Sequence, residues 1–209
     1  MNYLAHAVLS GNDPQWQLGG YLGDHVRGRR WETYPQSIAR GILLHRKIDV
    51  FTDGHPVFAR ARERLDPSYR RYSGILLDIF FDHFLARSFA DLTGRNLGLF
   101  AGVTYTNLRA HWHLLPRSLQ RFSRYQQQHN LLVNYADDEC IHMVLQAVSG
   151  RVRRENPLAS GLTELKAHRS ELNNDFHELF ADLRGFAADN RQRLASEALS
   201  AYRPIDKQD

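Results

Sequence analysis

The chain has few of the features that mark secreted or membrane proteins. Cys140 is the only cysteine, which excludes an intramolecular disulfide, and no apolar run reaches the roughly 18 residues that a membrane-spanning helix needs. The N-terminal stretch MNYLAHAVLSGNDP has neither a basic segment nor a long apolar segment, so no signal peptide is expected. We therefore predict a cytoplasmic protein that binds no membrane, with Cys140 as a packing residue.

Lysine is also scarce. Only Lys47, Lys166 and Lys207 are lysines among 27 basic residues, so arginine carries most of the positive charge behind the formal net charge of +4. Arginine favours planar, bidentate contact with phosphate and carboxylate. This composition indicates an anionic partner, which could be a nucleic acid, a phosphorylated metabolite or an acidic protein. A solvated basic surface explains it equally well.

Strand signals are poor, and hydrophobic periods of three and four residues recur along the chain. We predict one all-α domain over residues 1–209, with a tail at 191–209 that frays after Ala201. Asp13 and Pro14 supply a capping residue followed by a proline at the first helical position. The predicted helices cover about 14–26, 36–52, 57–65, 73–92, 97–113, 117–127, 137–150 and 158–188.

The stretch LDIFFDHFLARSF, at 77–89, places two carboxylates and an imidazole in a very apolar helix. Asp78 and Asp82 are four residues apart and share one face, and His83 follows directly. The stretch contains no lysine or arginine before Arg87. A buried, unpaired carboxylate is costly, so the pattern requires an explanation. Three are open: a salt bridge to another segment, a wrongly assigned helix, or a metal ion.

A second apolar face carries ionisable residues in the motif GILLHRKIDVFTDGHP at 41–56. Ile38, Ile42, His45 and Asp49 follow the spacing four, three, four, so they define a single helical face. His45 and Asp49 thus occupy the next two positions of an inward-facing stripe. A local His–Asp pair is the alternative explanation of this pattern.

Two further residues join this set. Asp24 lies on a predicted helix that contains three glycines, at positions 19, 20 and 23, and each glycine costs roughly 1 kcal/mol relative to alanine. The glycines therefore indicate tight packing or a ligand. His6 lies in the apolar segment NYLAHAVL, where a lone histidine is more often a core residue than a ligand.

Together these residues indicate a metal centre. Imidazole with carboxylate is the ligand mixture for Mn, Fe, Zn or Mg, and the absence of a thiolate set argues against structural zinc. A metal would supply the cation that the apolar helix lacks, whereas the alternative is a structural network of salt bridges. The candidate ligands are His6, Asp24, His45, Asp49, Asp78 and Asp82.

The sequence resembles the bacterial acyl carrier protein phosphodiesterase (acyl carrier protein hydrolyase) family. The resemblance rests on blocks in matching order: MNYLAH at 1–6, GYLGDHVRG at 20–28, GILLHRKIDVFTDGHP at 41–56, LDIFFDHFLAR at 77–87 and, more loosely, PRSLQRF at 116–122. The family is similar to HD-domain metal phosphohydrolases, which implies an HD-domain-like helical fold. The His-Asp dipeptide of classical HD proteins is absent here, and the dipeptides at 24–25 and 82–83 have the reversed order.

The resemblance implies a metal-dependent phosphodiesterase that removes 4′-phosphopantetheine from holo-acyl carrier protein, an acidic partner, and leaves the apo protein. It implies a divalent metal, most often Mn²⁺, with Mg²⁺ or Fe²⁺ as alternatives. The expected catalytic residues are Asp24, His25 and His83. The expected phosphate-binding arginines are Arg27 and Arg46, and those expected to dock the carrier protein are Arg29, Arg30, Arg70 and Arg71. Tyr21, Phe81 and Phe84 are candidates to line a channel for the pantetheine chain, although core packing is the expected role of each alone.

Two other functions are consistent with the sequence. An HD-like phosphohydrolase of a nucleotide or another small phosphodiester would use the same metal centre. A non-catalytic helical protein that binds nucleic acid would need arginines clustered on one helix with aromatic residues between them. Apart from RGRR at 27–30 and RVRR at 151–154, the arginines are scattered. We therefore expect no nucleic-acid partner.

Overall fold

The computed structural model describes residues 2–197 and 199. These residues form helices and turns without a strand, which confirms the predicted all-α class, while the HD-domain-like likeness stays a prediction. The α-helices are α1 (Tyr3–Leu9), α2 (Pro14–Leu22), α3 (Gln36–Gly54), α4 (Pro56–Arg64), α5 (Ser73–Arg87), α6 (Phe89–Thr93), α7 (Leu97–Ala110), α8 (Arg117–Gln128), α9 (Leu131–Asn134), α10 (Asp138–Ser149), α11 (Leu162–Ala167) and α12 (Arg169–Ser196).

Most predicted helices agree with the structure, and the differences concern breaks and short elements. The predicted helix at 73–92 is two helices that meet at Ser88, and that at 158–188 is a 3₁₀ turn, α11 and α12. The helices α1 and α9 were not predicted. The predicted start of α2 is confirmed, because the Asp13 carboxylate accepts hydrogen bonds from the N–H groups of Gln15 and Trp16.

The glycines of α2 allow this helix to lie directly against α3. A Cβ atom on Gly19 would overlap the backbone of Ile38 and Gly41, and one on Gly41 would overlap the Trp16 carbonyl. The sequence left open whether these glycines serve tight packing or a ligand, and at Gly19 the structure shows close helix packing. This close approach brings the C-terminal end of α2 beside the middle of α3.

The hydrophobic core is continuous from Leu4 to Leu194 and surrounds α5. Phe81 and Phe84 of α5 pack against Phe176 of α12, with ring centroids 5.8 and 6.0 Å apart. None of the described helices is both long and apolar enough to cross a bilayer. In the predicted tail at 191–209, residues up to Ser196 continue α12, and positions 198 and 200–209 lie outside the described residues.

Candidate metal centre

Three side chains from two helices, α1 and α3, converge at one point. His6 comes from α1, while His45 and Asp49 lie one turn apart on α3. The Nε2 atom of His6 lies 3.2 Å from Oδ1 of Asp49, and Nε2 of His45 lies 3.3 Å from Oδ2. The side chains of the two histidines are 2% and 4% exposed, and that of Asp49 is 19% exposed. Asp49 therefore joins two buried imidazoles.

The orientation of His45 is fixed from both sides of its ring. Its Nδ1–H donates a 2.8 Å hydrogen bond to the Gly20 carbonyl. A Cβ atom on Gly23 would overlap the ring, so glycine is required there. Because Nδ1 is bound to the Gly20 carbonyl, Nε2 faces the carboxylates of Asp24 and Asp49, each 3.3 Å away. A fixed tautomer that leaves Nε2 available is typical of a metal-binding histidine.

His6 presents unused nitrogen atoms to the same point. Its ring stacks on that of His45 with centroids 3.7 Å apart and an angle of 20°. Although Nε2 is close to Asp49, neither ring nitrogen of His6 makes a hydrogen bond of acceptable geometry to any described residue. A buried polar group without a hydrogen bond is unusual in a native protein. A cation between His6 and Asp49 would satisfy it.

The ionisable groups of the cluster strongly shift one another's pKa values. Burial lowers the pKa of His45, but the carboxylates of Asp24 and Asp49 more than reverse this and raise it to about 9. Burial and the neighbouring His45 charge lower the pKa of His6 to about 4. The packing around Asp24 raises the pKa of its carboxyl. The hydrogen bond and charge of His45 together have the larger, opposite effect and lower this pKa to about 2. The pKa of Asp49 is held far below its ordinary range by both histidines, against the effect of burial. The carboxylates therefore stay ionised.

The donor set fits a divalent cation. Among the described residues, one ligand atom from each of His6, His45 and Asp49 lies within 4.8 Å of the other two. Two nitrogen ligands with carboxylate oxygen suit Mn²⁺, Fe²⁺ or Zn²⁺ better than Ca²⁺, which prefers an all-oxygen set. Asp24, whose side chain is 63% exposed, is placed to add a further oxygen.

A cavity of about 240 Å³ adjoins the cluster. Asp24 and Asp49 line it together with Asp53 and Asp78, so four carboxylates face one space. Asp78 is half-buried, and burial raises the pKa of its carboxyl. The structure thus brings the predicted ligand Asp78 to the wall of this cavity rather than into the cluster of His6, His45 and Asp49.

Asp82, another predicted ligand, has a different environment. Its Oδ2 accepts a 2.8 Å hydrogen bond from the N–H of Leu4, and its Oδ1 accepts from Asn2 and Ala5 at 3.2 Å. Both oxygens are thus used by the N-terminus of α1. Burial raises the pKa of the Asp82 carboxyl to about 7, although these backbone N–H groups oppose the increase. For Asp82, therefore, none of the three explanations considered from the sequence is needed, because the predicted helix is present and backbone N–H groups of the N-terminal segment bind the carboxylate.

His83, a predicted catalytic residue, is fully buried in a separate network. Its Nδ1–H donates to the Tyr135 carbonyl at 2.7 Å, and its Nε2 accepts from Arg169 at 3.2 Å. Arg169 also pairs with Asp138 at 2.6 Å. His83 is absent from the described lining of the cavity beside the cluster. The structure therefore favours a structural role for this histidine.

His25, the other predicted catalytic histidine, is within reach of the cluster. It follows Asp24 in a short 3₁₀ turn, and its ring is held between Tyr3 and Ser118. The Tyr3 hydroxyl lies 3.1 Å from Nε2, and the Ser118 hydroxyl lies 3.0 Å from Nδ1. His25 lines a larger cavity of about 640 Å³. The positions of Tyr3 and Ser118 were not predicted, although PRSLQRF, noted as a sequence block, contains Ser118.

None of the predicted arginines belongs to the described lining of either cavity. Arg46 donates hydrogen bonds to the carbonyls of Val26 and Gly28, which fixes the turn after Asp24. Arg29 forms a surface ion pair with Glu32. The remaining predicted arginines are exposed. These exposed residues are Arg27, Arg30, Arg70 and Arg71.

The aromatic channel proposed from the sequence is contradicted. Tyr21, Phe81 and Phe84 are at most 2% exposed and belong to the core. Their apolar character serves packing, which was the expected role of each alone. Cys140 is likewise buried, and burial raises the pKa of its thiol to about 11.

The all-helical fold and a histidine–aspartate cluster beside a carboxylate-lined cavity are features expected of a helical hydrolase. The model of the family "Acyl carrier protein phosphodiesterase" matches residues 1–183. The chain belongs to the acyl carrier protein phosphodiesterase family.

Curated relatives support this membership over most of the chain. An acyl carrier protein phosphodiesterase of Photorhabdus laumondii is 33% identical over 181 residues, which cover 86% of this chain and 89% of the relative. Proteins of the same name from Yersinia pestis and Escherichia coli are each 34% identical and cover 84% and 86% of this chain, and 92% and 94% of their own lengths. No solved structure matches the chain.

Proposed function

We propose that this protein hydrolyses the phosphodiester bond between 4′-phosphopantetheine and the serine of holo-acyl carrier protein, which yields apo-acyl carrier protein. Family membership supports the substrate. The observation that carries the chemistry is the convergence of His6, His45 and Asp49 beside a cavity lined with carboxylates. A phosphodiester is anionic, so a site of this charge requires a cation to accept it.

We propose that His6, His45 and Asp49 hold a divalent metal, most often Mn²⁺, with Asp24 and Asp78 as further oxygen ligands from the cavity wall. Mg²⁺ and Fe²⁺ are alternatives. When bound, such an ion lowers the pKa of a coordinated water and polarises a phosphoryl oxygen. The Gly20 carbonyl supports this arrangement because it holds the Nδ1–H of His45 and leaves Nε2 for the ion.

The protein must also protonate the leaving group. Water adds to phosphorus as the bond to the serine oxygen breaks, and the serine alkoxide is a poor leaving group without a proton. His25 is the candidate donor, because it follows Asp24 and lies at the larger cavity, held by Tyr3 and Ser118. Asp24 is the candidate base for the attacking water.

We assign the docking of an acidic carrier protein to exposed arginines that are close in sequence to residues of the site. Arg29 and Arg30 follow the turn that contains Asp24, and Arg70 and Arg71 precede Ile75, which lines the carboxylate cavity. Positive residues at these positions would steer encounter and orient the partner. We assign Arg27 to this surface as well, and Arg46 to the local structure.

Intact-mass spectrometry tests the proposal. Purified holo-acyl carrier protein is incubated with the full chain and Mn²⁺, with EDTA in a second sample. Loss of the phosphopantetheine mass only in the sample with metal is expected. His45→Ala should abolish the loss, whereas His142→Ala, which changes an exposed histidine on α10, should retain it. An unchanged mass with bound metal, together with turnover of small nucleotide diesters, would favour the alternative phosphohydrolase function.

A further inference from the structure

The larger cavity is a groove formed by α8, α10 and the N-terminal segment, with a volume of about 640 Å³. This volume falls within the roughly 300–1,000 Å³ typical of small-molecule sites. Its floor and walls are mainly aromatic and aliphatic. The side chains that form them most prominently are Tyr3, Phe122, Tyr125, Leu131, Tyr135 and Val144.

The groove adjoins the carboxylate cavity beside the candidate metal centre. Asn2, Ile79 and Val148 line both the groove and the carboxylate cavity, so the two spaces share a wall. A ligand whose phosphate lies at Asp24 and Asp49 would therefore have the groove beside it. A substrate with a phosphate alone would leave the groove unused.

The chemistry of the groove matches an extended chain that alternates apolar and polar groups. Tyr3 and Phe122 stack with centroids 4.6 Å apart, and they form an apolar wall. The hydroxyls of Tyr3 and Ser118 contact the two nitrogen atoms of the His25 ring, and these three side chains add polar groups to the groove lining. Exposed Arg121 and Arg151 lie at the rim.

We propose that this groove binds the pantetheine arm of the substrate. The arm has a dimethyl-substituted carbon and methylene groups that suit the apolar walls, and a hydroxyl and two amides that suit Tyr3, His25 and Ser118. The assignment rests on the proposed function, and it adds the site that recognises the arm. Specificity for a pantetheine diester over other diesters then comes from the groove, and the metal centre contributes none of it.

The test fills the groove without changing the metal centre. Ala147, half-buried on α10, lines the groove, and Ala147→Phe narrows it. Ala59→Phe, at an exposed position on α4 outside the groove lining, is the matched control. Two substrates are compared: holo-acyl carrier protein and bis(p-nitrophenyl) phosphate, which has no arm.

Ala147→Phe should lower kcat/KM for holo-acyl carrier protein at least about tenfold and change that for bis(p-nitrophenyl) phosphate less than about twofold. Tyr125→Ala is a second groove variant, since Tyr125 is 39% exposed and its loss should not unfold the chain. It should weaken inhibition by free pantetheine, whereas Met143→Ala, an exposed residue of α10 outside the groove lining, should not.

The outcomes separate the two proposals. If the unsubstituted enzyme does not cleave holo-acyl carrier protein, the proposed function fails and the groove assignment with it. If it cleaves this substrate but Ala147→Phe behaves like Ala59→Phe, only the groove assignment is overturned. Equal losses on both substrates in both groove variants would also overturn it, because the groove would then serve the shared reaction and not the arm.

Discussion

The carboxylate of Asp82 on α5 accepts a 2.8 Å hydrogen bond from the backbone N–H of Leu4, although 78 residues separate them. The N–H groups of Asn2 and Ala5 bind the other carboxylate oxygen. This contact fixes the start of α1 on the middle of α5. Because His6 follows on the same helix, Asp82 determines where the His6 ring meets His45.

Asp82→Ala should therefore destabilise the protein and weaken metal binding together. It leaves three N–H groups without their acceptor in a buried place, at an expected cost of about 2 kcal/mol or more in the free energy of unfolding. Urea denaturation and a Mn²⁺ titration measure the two effects. Asp13→Ala removes the exposed cap of α2 and should cost about 1 kcal/mol without changing metal affinity. Equal effects of the two substitutions would contradict this role of Asp82.

Gly23→Ala should displace the His45 ring. The added methyl group would overlap the imidazole, which is also held by the Gly20 carbonyl, so either the ring or α2 must move. We expect Mn²⁺ affinity to fall at least about tenfold, as for loss of a group that orients a ligand. Gly102→Ala is the control, because a methyl group there meets no atom within 4 Å, and it should stabilise α7 by about 1 kcal/mol. Unchanged affinity in Gly23→Ala would show that the ring orientation is not needed.

His25→Ala should lower kcat and leave metal affinity unchanged. If the His25 ring donates the proton to the leaving serine oxygen, its removal should reduce kcat about 100-fold or more. Metal affinity is measured by titration and kcat by intact-mass kinetics with holo-acyl carrier protein. His142→Ala serves as the matched control. A loss of metal affinity that parallels the loss of kcat would instead make His25 part of the metal site.

His83 should make the protein less stable in mild acid. Burial lowers its pKa, and Arg169 adds to this effect, although Tyr135 and Asp138 oppose it. The native state therefore binds fewer protons than the unfolded state below about pH 6.5, so the free energy of unfolding falls as pH decreases. His83→Asn, which keeps a donor for the Tyr135 carbonyl, should lose less stability between pH 7 and pH 5 than the unsubstituted protein. An equal loss in both, measured by urea denaturation, would contradict this.

The helices that could be predicted are those with signals in their own sequence, such as hydrophobic periodicity and a capping residue. Periodicity and the cap at Asp13 located α2, and the spacing of His45 and Asp49 placed both on one inward face of α3. By contrast, α1 has only seven residues and depends on Asp82 of α5, so no local pattern could predict it. The break at Ser88 is similarly invisible in a continuous apolar pattern.

The candidate site was predictable only in part, because several of its residues depend on contacts with distant segments of the chain. Asp82 and His83 look like site residues in the sequence, but their partners, the N-terminus of α1 and the Tyr135 carbonyl, come from distant segments. The groove depends on the packing of α8 beside α10 and Tyr3, which spacing along one helix does not encode. The sequence blocks MNYLAH, GYLGDHVRG, LDIFFDHFLAR and PRSLQRF contain some of its residues, but nothing in them indicated that these residues meet in one groove.

Calorimetric titration of the metal-stripped full chain with Mn²⁺ tests the central claim most directly. If His6, His45 and Asp49 hold the ion, His6→Ala and Asp49→Asn should each weaken binding at least about tenfold. Asp91→Asn, at an exposed position in α6, should bind like the unsubstituted protein. Mn²⁺ binding that is equally tight in all four proteins would contradict the assignment of the metal centre.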